Sequence, residues 1–397
     1  MISETLGALM KEDLVRGGWD YLENCLEEYI ALITEITQVP APSNQEEQRT
    51  GFLKNKMESM GFPVIQVDEV GNVIGFFPGK DDSKVIVSMA HMDTVFPMDT
   101  DLTVRRDGNI LAAPGVSDNS ASVACMLLLG KVFLDHLPLP HPLVLVSTVG
   151  EEGLGDLRGA RYFCDHVEDY DFDGFRLDPG KLVFLNIDGD LRQITSQAVG
   201  SRRLRIEFKG QGGHSWGDFG NSSAIHGLGT AIAGIARLRV PDNPRTSYNV
   251  GVIEGGHSVN SIAQTASMLL DMRSVSQEWL SRLENEVMAV LEKAAQETDT
   301  SYDIQVVGDR PAGRLPDESD YLQGLLALGK ELGHEPSVGA GSTDSNIPLS
   351  RGWPAVTMGF KRSGDGHKTS EFLYIDSLIP GIKYALMCFA ALLYDKF

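Results

Sequence analysis

Three short apolar runs constrain this chain more than any other feature. KVIVSMA (84–90), LVLVSTV (143–149) and KLVFLNI (181–187) are rich in β-branched residues and carry little polar interruption. Such runs read as strands covered on both faces, because a strand with one face in water would alternate apolar with polar residues. Helical patterns lie between them, one within 113–134 and another near Arg158–His166. Strands alternating with helices predict an α/β fold with a helix-covered, mostly parallel sheet. Each run also ends on chemistry: His91 follows the first, Glu151 and Glu152 the second, Asp188 the third. Ligands of open α/β sheets bind outside the carboxyl ends of the strands. These residues, with Asp118 at a loop–helix junction, are therefore expected along one sheet edge.

Residues 1–38 read as helical. QVPAPSNQEEQ (38–48) breaks the pattern with two prolines and offers Ser43 or Asn44 as a cap for a helix through Met60. Two short strands are expected around Pro63–Val67 and Asn72–Phe77, and a hairpin over 102–113 turning at Asp107-Gly108. Near residue 197 the pattern changes to β-α-β-β-α-β, the order of a ferredoxin-like unit. From about 311 the first pattern resumes with a helix, the strand AVTMGF and a final apolar helix. The expected organisation is a first domain in two pieces, 1–196 and 311–397, with an α+β domain, 197–310, inserted into it.

The 397 residues suffice for two cored domains. A net charge of −21 argues against nucleic acid or an anionic membrane as the main partner. The N-terminus lacks the basic start and apolar core of a secretory signal, and no apolar run reads as long enough to span a bilayer. Cys25, Cys125, Cys164 and Cys388 are widely spaced and read as reduced, buried thiols. Together these features fit the cytoplasm, as the compartment to expect for a chain that shows no contrary signal.

Singly, each candidate residue has a bland alternative. Glu151 and Glu152 suit a solvated loop, His91 a packed histidine, Asp118 a helix cap, Asp188 a turn and His367 an exposed loop. The shared placement of four such groups at strand ends or the start of a helix outweighs these alternatives, and together they offer an N/O donor set that suits zinc.

The ordered set AHMDTV, the Asp118 loop, TVGEEG, NIDGD, GGHSW, VNSIA, DMR, GSTDSN and GHKTSE resembles the M20 family of dinuclear zinc peptidases and amidohydrolases. The likeness runs from about Tyr29 to the C-terminus, and its flavour is that of the peptidase T-like aminopeptidases. The resemblance implies that His91 and Asp188 bind one Zn2+, Glu152 and His367 the other, and that Asp118 bridges both, with Co2+ or Mn2+ compatible with the same ligands. A bridging carboxylate can hold two cations at the ~3.5–4 Å spacing that clamps one water. Asp93 would orient His91, and Glu151 would be the general base.

The resemblance further implies that the inserted domain acts as a lid and dimerisation domain, so that the enzyme is a homodimer. There His214 would stabilise the oxyanion, and Asn260 and Arg273 would bind a small peptide substrate, although Arg273 has Asp271 on its own strand as an alternative partner. The resemblance also implies an aminopeptidase of the tripeptidase kind, because the family tends to carry aspartate at the position of Asp188 in aminopeptidases and glutamate in carboxypeptidases and deacylases. A carboxypeptidase or N-acyl-amino-acid amidohydrolase with the same metals, or an inactive binding protein on the same fold, is the alternative.

Two departures stand out. Many relatives read Asp-x-Lys-x-Gly at the bridging loop, where this chain has Asp118-Asn119-Ser120-Ala121-Ser122, and the first 28 residues precede the usual family start.

Overall fold

The computed structural model describes residues 2–397, with side chains from Leu6 onward. It divides into two compact units, one formed by Met1–Ala198 with Arg314–Phe397 and the other by Val199–Gly313.

The first unit is built on a mixed sheet. Its principal strands are β1 (Val64–Val67), β2 (Val73–Phe77), β3 (Val85–His91), β4 (Leu143–Thr148), β5 (Leu182–Ile187), β6 (Gln193–Ala198), β7 (Ser337–Gly341) and β8 (Ala355–Met358). They lie side by side in the order β1-β2-β4-β3-β5-β8-β6-β7. The centre, β4-β3-β5-β8, is parallel, as is β6-β7, whereas β1-β2, β2-β4 and β8-β6 are antiparallel. The three apolar runs of the sequence are therefore the middle of the sheet. Every residue of β3 and β4 is buried, the state in which uninterrupted β-branched runs are stable.

Helices Ser122–Leu134 and Leu378–Leu393 share the core of this sheet. Ile375–Leu393 is long and apolar enough to cross a bilayer by length and composition, which corrects the expectation that no such run exists. In this fold 78% of that stretch is buried inside the protein, so its apolarity serves the core. The first 28 residues add helices Ile2–Leu9 and Asp13–Glu23, whose Leu9, Leu14, Val15 and Leu22 join the same core. Gly18 has no room for a side chain against Val132 and Leu386, and Lys383 of the last helix meets Glu23 at 3.0 Å. The extension thus covers a face of the first unit.

The helix expected to be capped by Ser43 or Asn44 runs over Glu47–Met60 and begins without a side-chain cap. The Ser43 hydroxyl is engaged elsewhere, on Asp93.

The second unit has strands Gly200–Lys209, Thr246–Gly255, Thr265–Ser274 and Ser301–Arg310, with helices Ala224–Ile235 and Gln277–Thr298. Its antiparallel sheet has Thr265–Ser274 and Gly200–Lys209 in the middle and Thr246–Gly255 and Ser301–Arg310 at the edges. Leu204, Ile206 and Phe208 alternate inward from their strand onto the two helices, the period-2 pattern of a sheet covered on one face.

Candidate metal centre

The residues at the carboxyl ends of β3, β4 and β5 converge. His91 closes β3, and its register partner across the parallel pair is Thr148, the last residue of β4. Three residues later come Glu151 and Glu152. Gly150 precedes them at φ 63°, a left-handed turn that a glycine takes without strain. Past that turn the Glu151 and Glu152 backbone N–H groups donate to the two oxygens of Asp93, at 2.9 and 3.0 Å. Asp188 follows β5, and its N–H donates to the Met358 carbonyl of β8.

Two clusters form there. One ligand atom from each of His91, Asp118 and Asp188 lies within 4.8 Å of the others, and the same holds for Asp118, Glu152 and His367. Asp118 belongs to both. Its Oδ1 is 3.1 Å from His91 Nε2, and its Oδ2 is 3.1 Å from His367 Nε2. His367 Nε2 is also 2.7 Å from Glu152 Oε1. Glu151 joins through a third grouping with His91 and Glu152.

The charges of this cluster show what it is suited to hold. Burial raises Asp188, and the neighbouring Asp118 raises it further. Burial would raise Asp118 too, but hydrogen bonds from His367 and His91 hold it far below the usual carboxylate range. His367 is pushed up to about 11 by its hydrogen bonds to Asp118 and Glu152. His91 loses protonation to burial but is carried well above its ordinary value by Asp118 and Asp93. The two histidines are thus biased toward their protonated forms among buried and half-buried carboxylates. Among the described residues no Lys or Arg ion-pairs with Asp118, Glu152 or Asp188. Divalent cations would take over that neutralisation and release the imidazole protons. Mixed imidazole and carboxylate donors in two sets with a shared oxygen donor fit a pair of such ions.

Asp93 is fully buried, and its ordering differs in detail from the simple expectation. His91 Nδ1 is 3.1 Å from the Asp93 backbone carbonyl and 3.5 Å from the carboxylate. The carboxylate is occupied by the Glu151 and Glu152 N–H groups and by the Ser43 hydroxyl at 2.6 Å. It therefore joins the β3 end to the paired glutamates.

His214, Asn260 and Arg273 lie in the second unit. His214 pairs in register with Ser261, and its Nδ1 accepts the N–H groups of Trp216 and Gly217 at 3.2 and 3.3 Å. The neutral ring consequently carries its proton on Nε2. Asn260 Oδ1 accepts the Ser258 hydroxyl. Arg273 Nε donates to Asp271 at 2.7 Å, the pairing that its own strand offered.

Sequence reasoning passed over two positioning groups. Arg49 is buried and donates to the carbonyls of Thr37, Val39 and Met92, fixing the backbone next to Asp93. Glu371 is fully buried and gathers the Asp118 loop, accepting the N–H groups of Gly115, Ser117 and Asp118 at 2.8–3.0 Å and the Ser117 hydroxyl at 2.8 Å. It stands four residues after His367 in GHKTSE, a placement that was open to inspection. Glu371→Gln should cost about 10–100-fold in metal affinity, the range for groups that orient ligands. Equilibrium dialysis against Zn2+ measures it, and unchanged affinity would refute the positioning role.

The family model described as peptidase family M20/M25/M40 matches residues 87–390. The chain belongs to this family. It is thus a hydrolase of the peptidase type. The YXEP protein of Bacillus subtilis, a dinuclear metal binding peptidase of the M20 family, has the same fold, with a TM-score of 0.68 and 16% identity over 94% of this chain and 99% of that one. A tripeptidase from Staphylococcus aureus has the same fold, with a TM-score of 0.76 and 21% identity over 93% of this chain and 99% of that one. The aminopeptidase PepT from Bacillus cereus gives 0.73 and 20% over 92% and 98%. By sequence, the succinyl-diaminopimelate desuccinylase of Corynebacterium glutamicum is 24% identical over 86% of this chain and 90% of its own.

Proposed function

We propose that this M20 protein is a dinuclear zinc exopeptidase, an aminopeptidase that removes residues from short peptides with a free amino terminus. The observation that carries this reading is the sharing of Asp118 between two ligand clusters, with Glu151 beside them. His91 and Asp188 would hold one ion and Glu152 and His367 the other. When bound there, such ions would supply Lewis acidity, for the scissile carbonyl and for a water.

The chain's own groups do the rest. Glu151, not needed as a ligand in either three-residue set that includes Asp118, takes the proton from the attacking water and passes it to the leaving amine. Asp93 keeps Glu151 and Glu152 in place through their N–H groups. In the inserted unit His214 would act on the oxyanion, a role supported by the proton on its Nε2, since an oxyanion needs a donor. That unit would serve as lid and dimerisation domain. Its edge strand Thr246–Gly255 exposes Val252 and Ile253, as a strand kept for a partner would. Four buried, unbridged cysteines favour a reducing compartment, the cytoplasm.

Aspartate at 188 and the likeness to a tripeptidase and to PepT favour the amino-terminal specificity. The desuccinylase relative favours a second reading, hydrolysis of N-acyl amino acids by the same centre. Assays of the zinc-loaded enzyme on free di- and tripeptides and on their N-acylated forms decide between them. Turnover of the blocked substrates alone would exclude the aminopeptidase.

A further inference from the structure

One buried cation beside the acidic centre has no carboxylate partner. Lys361 lies three residues beyond β8 and is only 2% exposed. Its ammonium donates to the Ser122 hydroxyl at 3.1 Å and to the Gly189 carbonyl at 2.9 Å. Among the described residues it forms no ion pair. A buried ammonium held by neutral oxygens alone is costly, so its position calls for a compensating field.

That field is the acidic centre. Ser122 opens the helix that follows the Asp118 loop, and Gly189 follows Asp188 directly. Lys361 therefore ties together the two loops that carry Asp118 and Asp188. Backbone bonds run alongside: Asp188 N–H to the Met358 carbonyl and Leu191 N–H to the Lys361 carbonyl. At Gly359 a Cβ would fall 2.1 Å from the Gly189 oxygen, so glycine is what lets the segment come this close. The positive charge favours the ionised forms of both aspartates.

We infer that Lys361 is a positioning residue and a fixed counter-charge, holding the Asp118 and Asp188 loops together in the metal-free enzyme and weakening metal affinity in return. The inference rests on the metal-centre reading above. Without cations, the ammonium offsets repulsion among the clustered carboxylates. With two divalent cations present, the same ammonium is repelled, so its stabilising effect fades or reverses. A mere structural clip would matter equally in both states.

Thermal unfolding of zinc-loaded and chelator-stripped enzyme tests this on the wild type, Lys361→Gln and Lys361→Arg. Gln retains a donor for Ser122 and Gly189 but carries no charge, whereas Arg retains the charge. The stripped Gln variant should melt roughly 3 °C or more below stripped wild type, with a smaller difference between the loaded forms. By linkage it should then bind Zn2+ more tightly, on the order of tenfold, and Arg should restore wild-type behaviour. A Gln variant that folds only with zinc supports the inference in the same way. Equal loss in both states, failure to fold even with zinc, or no loss in the stripped state would overturn it. A wild type that zinc does not stabilise would instead remove the metal-centre reading beneath it.

Discussion

Glu151→Gln should retain both metal ions and lose about 10²–10⁴-fold in kcat, the usual cost of removing a general base. The substitution changes little else. Glutamine keeps the length of the side chain, and the Glu151 N–H that anchors this turn to Asp93 is a backbone group, untouched by the change. The clusters His91–Asp118–Asp188 and Asp118–Glu152–His367 do not include residue 151. Metal analysis after dialysis should therefore match wild type while steady-state turnover collapses. If zinc were lost in proportion to activity, Glu151 would be a ligand and the division of labour between the paired glutamates would be wrong. Near-normal turnover with full metal would show that another group accepts the proton.

Asp118→Asn is expected to act on the metals themselves. Asp118 alone presents one oxygen to His91 and the other to His367, and it is the member common to both clusters. An amide offers one oxygen and an NH2 group, so one side of the bridge becomes a donor facing a ligand site. It also removes a negative charge that offsets the cations. Zinc affinity should fall by more than about 100-fold, beyond the effect of orienting groups such as Glu371, and activity should fall to background. Zinc content per chain and the absorption spectrum of the Co2+-substituted protein report this, with far-UV circular dichroism confirming an intact fold. Two tightly held ions per chain in this variant would contradict a bridging role.

Much of this centre was legible in the sequence because strand ends are. Buried strands need uninterrupted apolar residues, and such runs are visible without a structure. The first residues past them fall at one sheet edge by topology alone. His91, Glu151, Glu152 and Asp188 could be placed on that ground, and the ordered motifs added Asp118 and His367. What escaped were the groups that hold these residues still. Ser43 reaches Asp93 across 50 residues, Glu371 reaches the Asp118 N–H across 253, and Lys361 reaches Ser122 across 239. Such bonds leave no periodic trace along the chain. Ser43 suits a helix cap locally, as a hydroxyl just before a helix, but the buried Asp93 carboxylate is the stronger acceptor.

By itself, then, the sequence determined the parallel middle of the sheet, the β-α-β-β-α-β order of the second unit and the residue types at the strand ends, since burial and pleat periodicity act locally. Only the tertiary structure decided that the apolar run 375–393 belongs in a core, that the first two helices cover the first unit, and that Asp118 is shared between two clusters. The same was true of the imidazole and ammonium charges beside the carboxylates. Those outcomes depend on distances between segments far apart in the chain, and charge interactions and hydrogen bonds respond to distance in space alone.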